Sequence, residues 1–296
     1  MQDKILITTG DPNGIGAEIT IKALNKLNPD NVILISNSRI LNFYGKLNKK
    51  YEIIEIPFND NIIPGKITAS SGEFAFLSLQ KACELRGKAI VTAPVAKNAM
   101  HMAGYRYNGQ TEILQKFLAR DNQLAEMLFV AGDFRVLLLT RHCALKDIKL
   151  TKELVVEKII NLNEFFNKKL KINLPRFALC GLNPHAGENG ILGREEIDIL
   201  QPAVEIIRSK GINITNPLPA DTLFVKANDY DCIIANYHDQ GLIPIKTIAG
   251  NKTVNMTIGL DVIRTSPGHG TAFDIAGKNI ADETGMLEAI KIITTL

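Results

Sequence analysis

No apolar run in this 296-residue sequence approaches the roughly 18 residues that a bilayer-spanning helix needs, which excludes a helical membrane protein. The amino terminus reads Met-Gln-Asp-Lys before a short apolar strand, with neither the basic stretch nor the long apolar stretch of a secretory leader. Cysteine is scarce. Cys83, Cys143, Cys180 and Cys232 form no C-x-x-C pair, so free thiols in a reducing, cytoplasmic setting are expected. Charge of one sign is not in excess. Lys and Arg number 34 against 31 Asp and Glu, a net charge of +3, which argues against nucleic acid or an anionic membrane as partner. A small phosphorylated ligand needs only a few local cations and is compatible with that balance. There is no internal repeat, no low-complexity segment and no linker rich in Pro, Gly or Ser. Two lobes sharing a continuous fold are therefore expected, not separate beads.

What is present is a hydrophobic fraction of 46%, ample for a core, arranged as alternating strands and helices. Lys4–Thr9, Val32–Ser36, Ala89–Thr92, Arg135–Thr140, Phe177–Cys180 and Cys232–Asn236 are short, continuous, β-branched runs. Runs of that kind fit a sheet covered on both faces. Helical periodicity fills Ala17–Leu27, Gly72–Arg86, Thr151–Lys169 and Arg194–Ser209, with Thr151 read as an N-cap. The alternation predicts an α/β protein with a mainly parallel sheet and right-handed crossovers.

In such sheets ligands bind beyond the carboxyl ends of the strands. Four strands deliver polar residues there: Thr92 to Lys97, His142, Asn183 with His185, and His238 with Asp239. Imidazole is a common ligand for zinc and similar ions, and three protein ligands with an open position describe a catalytic metal site. Each histidine taken alone is equally a capped or core residue. Asp221, in Leu218–Phe224 (LPADTLF), either caps the segment after it or orients a ligand. Gly10–Gly16 (GDPNGIG) fits neither G-x-G-x-x-G nor the Walker pattern. A helix amino terminus open to an anion and a tight structural turn account for it equally well. Lys246, Asn255 and Arg264 recur in the last third and suit a phosphate or a solvated surface. His269, in a Gly-His-Gly turn, says little alone.

Several segments together resemble the 4-hydroxythreonine-4-phosphate dehydrogenase family of vitamin B6 biosynthesis. They are GDPNGIGAE (Gly10–Glu18), TAPVAK (Thr92–Lys97), QTE (Gln110–Glu112), LTRH (Leu139–His142), CGLNPHAGE (Cys180–Glu188), PADTLF (Pro219–Phe224), YHDQG (Tyr237–Gly241), IRTSPGHGTA (Ile263–Ala272) and GTAFDIAGK (Gly270–Lys278). The resemblance spans nearly the whole chain. It implies a two-lobed α/β/α fold like isocitrate and isopropylmalate dehydrogenases, not a Rossmann fold, with the active site in the cleft between lobes. The first lobe would comprise residues 1–130 plus 265–296, and the second, with the dimer interface, 131–264. It implies His142, His185 and His238 as ligands of one divalent metal (Zn, Mg or Co) and Asp221 and Lys246 as catalytic positions. Gln110, Thr111, Lys246, Asn255 and Arg264 would bind substrate. NAD or NADP would be the oxidant, and a homodimer with its active site at the subunit interface the assembly.

The activity so implied is oxidation of 4-phosphooxy-L-threonine to 2-amino-3-oxo-4-phosphooxybutanoate, which decarboxylates to 3-amino-2-oxopropyl phosphate. Two alternatives stand beside it: a dehydrogenase of 4-phosphothreonate or 4-phosphoerythronate, and a catalytically silent phosphometabolite-binding protein. One departure matters. The family has His-Thr-Glu where this chain has Gln110-Thr111-Glu112. Gln is expected to donate a hydrogen bond to the phosphate but cannot be a cation near neutral pH. Connections such as Asn228–Asp231 also look trimmed.

Overall fold

The computed structural model describes residues 3–120 and 123–296. The chain divides into two compact units, residues 1–125 with 251–296 and residues 126–250. Residues 251–264, which the sequence reading assigns to the second lobe, fall in the first unit.

In the first unit six strands run in the order β3-β2-β1-β4-β10-β9. They are β1 (Ile5–Thr8), β2 (Val32–Ser36), β3 (Glu52–Glu55), β4 (Ala89–Thr92), β9 (Val254–Ile258) and β10 (Ile263–Pro267). All neighbours are parallel except β9, which runs antiparallel to β10. The helices are α1 (Gly16–Leu27), α2 (Ser38–Tyr44), α3 (Ala69–Leu85), α4 (Lys97–Met102), α5 (Gln110–Leu118) and α10 (Thr284–Thr295). Leu6, Ile33, Ile35 and Ile90 meet Phe74 and Leu79 of α3, Met100 of α4 and Ile113 of α5 in one core cluster. Their strand neighbours Ile7 and Leu34, which point to the opposite face, are equally buried. Both faces are therefore covered, as the continuous apolar runs require.

In the second unit β5 (Glu126–Ala131), β6 (Phe134–Leu138), β8 (Cys232–Ala235) and β7 (Phe177–Leu179) follow one another in that order. β5 and β6 form an antiparallel pair, and β6, β8 and β7 are parallel. Around them lie α6 (Lys152–Phe165), α7 (Gln201–Ser209), the short α8 (Ala220–Leu223) and α9 (His238–Ala249). The Thr151 hydroxyl accepts the Leu154 amide and caps α6 as its sequence position predicts. α9 packs so closely on the sheet that a Cβ at Gly241 would stand 2.6 Å from Leu138 Cδ2 and 3.0 Å from Ala235 Cβ. Glycine at 241 thus sets the seat of the helix that begins with His238. Lys158 of α6 and Glu126 of β5 form a buried ion pair, the carboxylate pushed up and the ammonium pushed down by burial. Among the described residues no helix is long and apolar enough to cross a membrane. All four cysteines are free, and three are buried.

Candidate active site

The Gly10–Gly16 turn has a structural account. The Asp11 amide donates to the Pro94 carbonyl, Asn13 N to Asp11 Oδ1, Gly14 N to the Asp11 carbonyl and Ile15 N to the Thr271 carbonyl. Those donors are committed within the protein and form no open cradle for an anion. Gly10 has φ 69, and a Cβ there would stand 2.2 Å from the Pro94 oxygen. The glycines are required by close backbone approach.

Polar chemistry in the first unit gathers on β4, β10 and β9. Arg264 of β10 is 3% exposed. Its Nε and Nη2 both donate to Thr92 Oγ1, at 2.9 and 2.6 Å. Among the described residues no carboxylate acts on it, and burial pulls its pKa down to about 9, so it is still a cation at neutral pH. A buried guanidinium without an acid is costly unless an anionic ligand completes it. Strand register sets Thr257 opposite Arg264 and Asn255 opposite Ser266, which places them on one face. Thr257 Oγ1 and Asn255 Oδ1 are buried without a partner. Buried polar atoms are normally paired, so these orphans mark a polar ligand's place.

Gln110 and Thr111 open α5, both half-buried, after a Gly109 that supplies no side-chain cap. Gln110 Nε2 donates to the Ala93 carbonyl at 3.1 Å. A carbonyl can only accept, which fixes the amide orientation and leaves Oε1 as the remaining buried atom, without a partner. The expected role of residue 110 as a donor to phosphate is thereby altered: the side chain presents an acceptor.

In the second unit β6 and β8 continue in step past their ends, Leu139 N donating to the Ala235 carbonyl and Thr140 N to the Asn236 carbonyl. This brings His142 and His238 together with ring centroids 5.5 Å apart. His238 Nδ1 lies 2.7 Å from Asp239 Oδ1, an arrangement that orients the ring and leaves Nε2 for a ligand. Asn236 and Gln240 fasten this edge. Asn236 Nδ2 donates to the Cys180 carbonyl, Gln240 Nε2 to the Gly181 carbonyl, and Asn236 N to Gln240 Oε1.

His185 stands exposed in a turn of unusual backbone. Residues 185 to 189 have φ of 52, 53, 79, 43 and 56, a single left-handed turn in which only position 187 is glycine. Left-handed backbone costs roughly 1–2 kcal/mol for each residue with a Cβ, so the turn persists only because its surroundings enforce it. Among the described residues no three His, Cys, Asp or Glu gather closely enough to hold a metal, so one chain pairs His142 with His238 and does not complete a set with His185. Asp221, the second residue of α8, and Lys246, in the last turn of α9, are exposed. Sequence reasoning placed Thr92 among the polar residues at the end of β4 but gave it no role, and passed over Thr257, Asn236 and Glu196 as contributors. Thr92 lies within a quoted motif, whereas the others carried no signal beyond their residue type.

Isocitrate dehydrogenase from Methylococcus capsulatus superposes with a TM-score of 0.51 at 14% identity, covering 99% of this chain and 85% of that one. The fold is therefore of the isocitrate dehydrogenase-like class. The family model described as pyridoxal phosphate biosynthetic protein PdxA matches residues 4–293, and the chain belongs to that family. It is 37% identical over 317 residues to 4-hydroxythreonine-4-phosphate dehydrogenase from Sulfurihydrogenibium sp. (strain YO3AOP1), covering 99% of this chain and 98% of the relative. It is 39% identical over 319 residues to D-threonate 4-phosphate dehydrogenase from Cupriavidus necator, covering 96% and 94%. The crystal structure of 4-hydroxythreonine-4-phosphate dehydrogenase from Klebsiella pneumoniae superposes with a TM-score of 0.88 at 34% identity, covering 99% of both chains.

Proposed function

We propose that this chain oxidises the 3-hydroxyl of 4-phosphooxy-L-threonine with NAD or NADP. The 2-amino-3-oxo-4-phosphooxybutanoate so formed loses CO2 to give 3-amino-2-oxopropyl phosphate, on the route to pyridoxine 5'-phosphate. The observation that supports it is the acid-free buried cation Arg264 beside the orphaned acceptors Asn255 Oδ1 and Thr257 Oγ1. An anion satisfies the first, and hydroxyl or ammonium donors satisfy the others. A phosphorylated amino-hydroxy acid carries both.

Each residue has a part. Arg264 binds phosphate oxygens, and Lys246 adds a second cation. Binding energy at the phosphate, remote from the reacting carbon, orients C3. Asn255 and Thr111 hold the polar backbone of the substrate. Asp221 is assigned to receive the hydroxyl proton. His142, His185 and His238 would hold a divalent ion, and neutral imidazole with an Asp239-oriented ring suits zinc or cobalt better than magnesium. When bound, the ion supplies Lewis acidity at the substrate hydroxyl and the nicotinamide supplies a hydride acceptor.

A cytoplasmic homodimer with its site at the subunit interface belongs to the same proposal. Leu145, Ile191, Val225 and Ile243 of the second unit expose between 63% and 83% of their surface, and burial against a second copy would remove that apolar surface from water. A second copy would also supply what one chain leaves incomplete around the histidines.

A second reading, oxidation of D-threonate 4-phosphate, is favoured by the 39% identity to a relative of that name. The two substrates differ at C2, amine against hydroxyl. A panel of both, followed by nicotinamide absorbance with and without chelator, tests the proposal. Higher kcat/KM on 4-phosphooxy-L-threonine, lost with chelator, is expected. Higher kcat/KM on D-threonate 4-phosphate would transfer the assignment to the second reading, and no reduction with either would refute both.

A further inference from the structure

The left-handed turn that carries His185 is organised around one carboxylate. Glu196 is 1% exposed. Its Oε1 accepts the Asn183 amide N–H at 2.8 Å and its Oε2 accepts Asn183 Nδ2 at 3.0 Å. Asn183 lies two residues before His185, at the start of the turn. The turn wraps closely over the same carboxylate. A Cβ at Gly187, where φ is 79, would stand 2.6 Å from Glu196 Oε2, and one at Gly181 would stand 3.3 Å from Oε1 and 3.0 Å from Ala186 Cβ. At the far end of the loop, a Cβ at Gly193 would press on Asn183 Nδ2 at 2.3 Å. Glycines therefore stand where the chain must close around Glu196 and Asn183. Glu195 also accepts Asn183 Nδ2, at 2.7 Å, from a less buried position.

We infer that Glu196 is a positioning residue for His185. It fixes Asn183 by main chain and side chain together, holds residues 185 to 189 left-handed against their intrinsic preference, and so presents the imidazole for metal binding. This rests on the reading of His185 as a metal ligand. A carboxylate is required because both of its oxygens accept. In Glu196→Gln one of them becomes an NH2 group facing the donors of Asn183.

The test is cobalt(II) binding to the full-length protein, read by the visible absorption of the bound ion. Loss of a supporting residue around a metal ligand costs about 10- to 100-fold in affinity, and that loss is expected for Glu196→Gln. Its circular dichroism should match wild type and turnover should recover at saturating cobalt. Amide hydrogen exchange in residues 183–193 should accelerate. Glu195→Gln should bind within about twofold of wild type, because Glu196 keeps its hold on Asn183. Asn183→Ala, which removes the side-chain half of the clamp, should weaken binding even if Glu196→Gln does not fold. If His185→Ala loses cobalt while Glu196→Gln and Asn183→Ala bind as wild type, the positioning role is overturned and the metal reading stands. If His185→Ala binds cobalt as wild type does, the metal reading falls, and this inference with it.

Discussion

Arg264 in the first unit is 3% exposed and held by a threonine on the neighbouring strand, whereas His142 and His185 in the second unit stand exposed beyond the ends of theirs. The contrast follows from what each set has to do. A phosphate site gains from burial, because a guanidinium removed from water keeps its charge for the ligand and is not screened. In the first unit Arg264 lies on the same sheet face as Asn255 and Thr257, whose Oδ1 and Oγ1 are buried without a partner. The histidines proposed as metal ligands would have to be reachable, and they stand on strand ends and a strained turn, secured by Asn236, Gln240 and Glu196 from behind. On the proposed reading, the first region is buried before any ligand arrives, and the second would be completed by an ion and a second copy.

That contrast can be broken most completely at His238. His238→Ala should abolish metal content and turnover together while leaving the fold intact, since the side chain is only half-buried. Metal analysis after gel filtration checks it, and full occupancy in the variant would show that the histidines are not the ligands.

Arg264→Met tests the other side. Charge-assisted contacts are worth roughly 1.5–3 kcal/mol, so kcat/KM should fall on the order of ten- to a hundredfold. Replacing an unpaired buried cation by an apolar chain should leave the melting temperature unchanged or higher. A variant with wild-type kcat/KM would remove Arg264 from the phosphate site, and a large drop in melting temperature would mean that its role is structural.

The two regions also differ in how far they were legible. β1, β2, β4, β6, β7 and β8 were readable because they are continuous apolar runs buried on both faces. β3 was missed because its Glu-Ile-Ile-Glu lies at a sheet edge and is partly exposed. β9 and β10 were missed for a more telling reason. Val254–Ile258 and Ile263–Pro267 interrupt apolar residues with Asn255, Thr257 and Arg264, so they read as loops or surface. Their polar residues lie inside nonetheless, as the proposed ligand site would require, and local rules fail where function overrides them. The histidines were singled out by their place after strands. Glu196 was not, since a glutamate near a helix start reads as a solvated charge until the fold closes a turn around it.

A smaller effect is expected at Asp11, inside the first unit. It accepts Asn13 N at 2.9 Å and Ser71 Oγ at 3.3 Å, yet burial dominates and raises its pKa to about 6. The folded state holds this proton more tightly than the unfolded state, whose value is near 3.8. The group therefore favours folding below pH 3.8, and that contribution is lost as pH rises to about 6. Asp11→Asn should remove this slope from the stability profile and gain about 3 kcal/mol near neutrality. Urea denaturation at several pH values from acid to neutral measures it. A slope unchanged in the variant would assign the pH dependence elsewhere.

The smallest effect is expected at Gln110. Its Nε2 is committed to the Ala93 carbonyl, so the atom left for a ligand is the acceptor Oε1. An acceptor does not bind a phosphate dianion; it takes a hydroxyl or ammonium donor, and a neutral contact of that kind is worth about 0.5–1.5 kcal/mol. If Arg264 and Lys246 carry the phosphate, Gln110→Ala and Gln110→His should each change kcat/KM by no more than about tenfold. Gln110→His also tests specificity, because an imidazole can replace the acceptor or, when protonated, oppose an ammonium. Should that variant raise activity on 4-phosphooxy-L-threonine by about a hundredfold from a low start while lowering it on D-threonate 4-phosphate, Gln110 would mark a change of substrate. The C2 amine and hydroxyl would then be told apart by this one side chain, and the buried first unit, not the exposed histidines, would set which acid is oxidised.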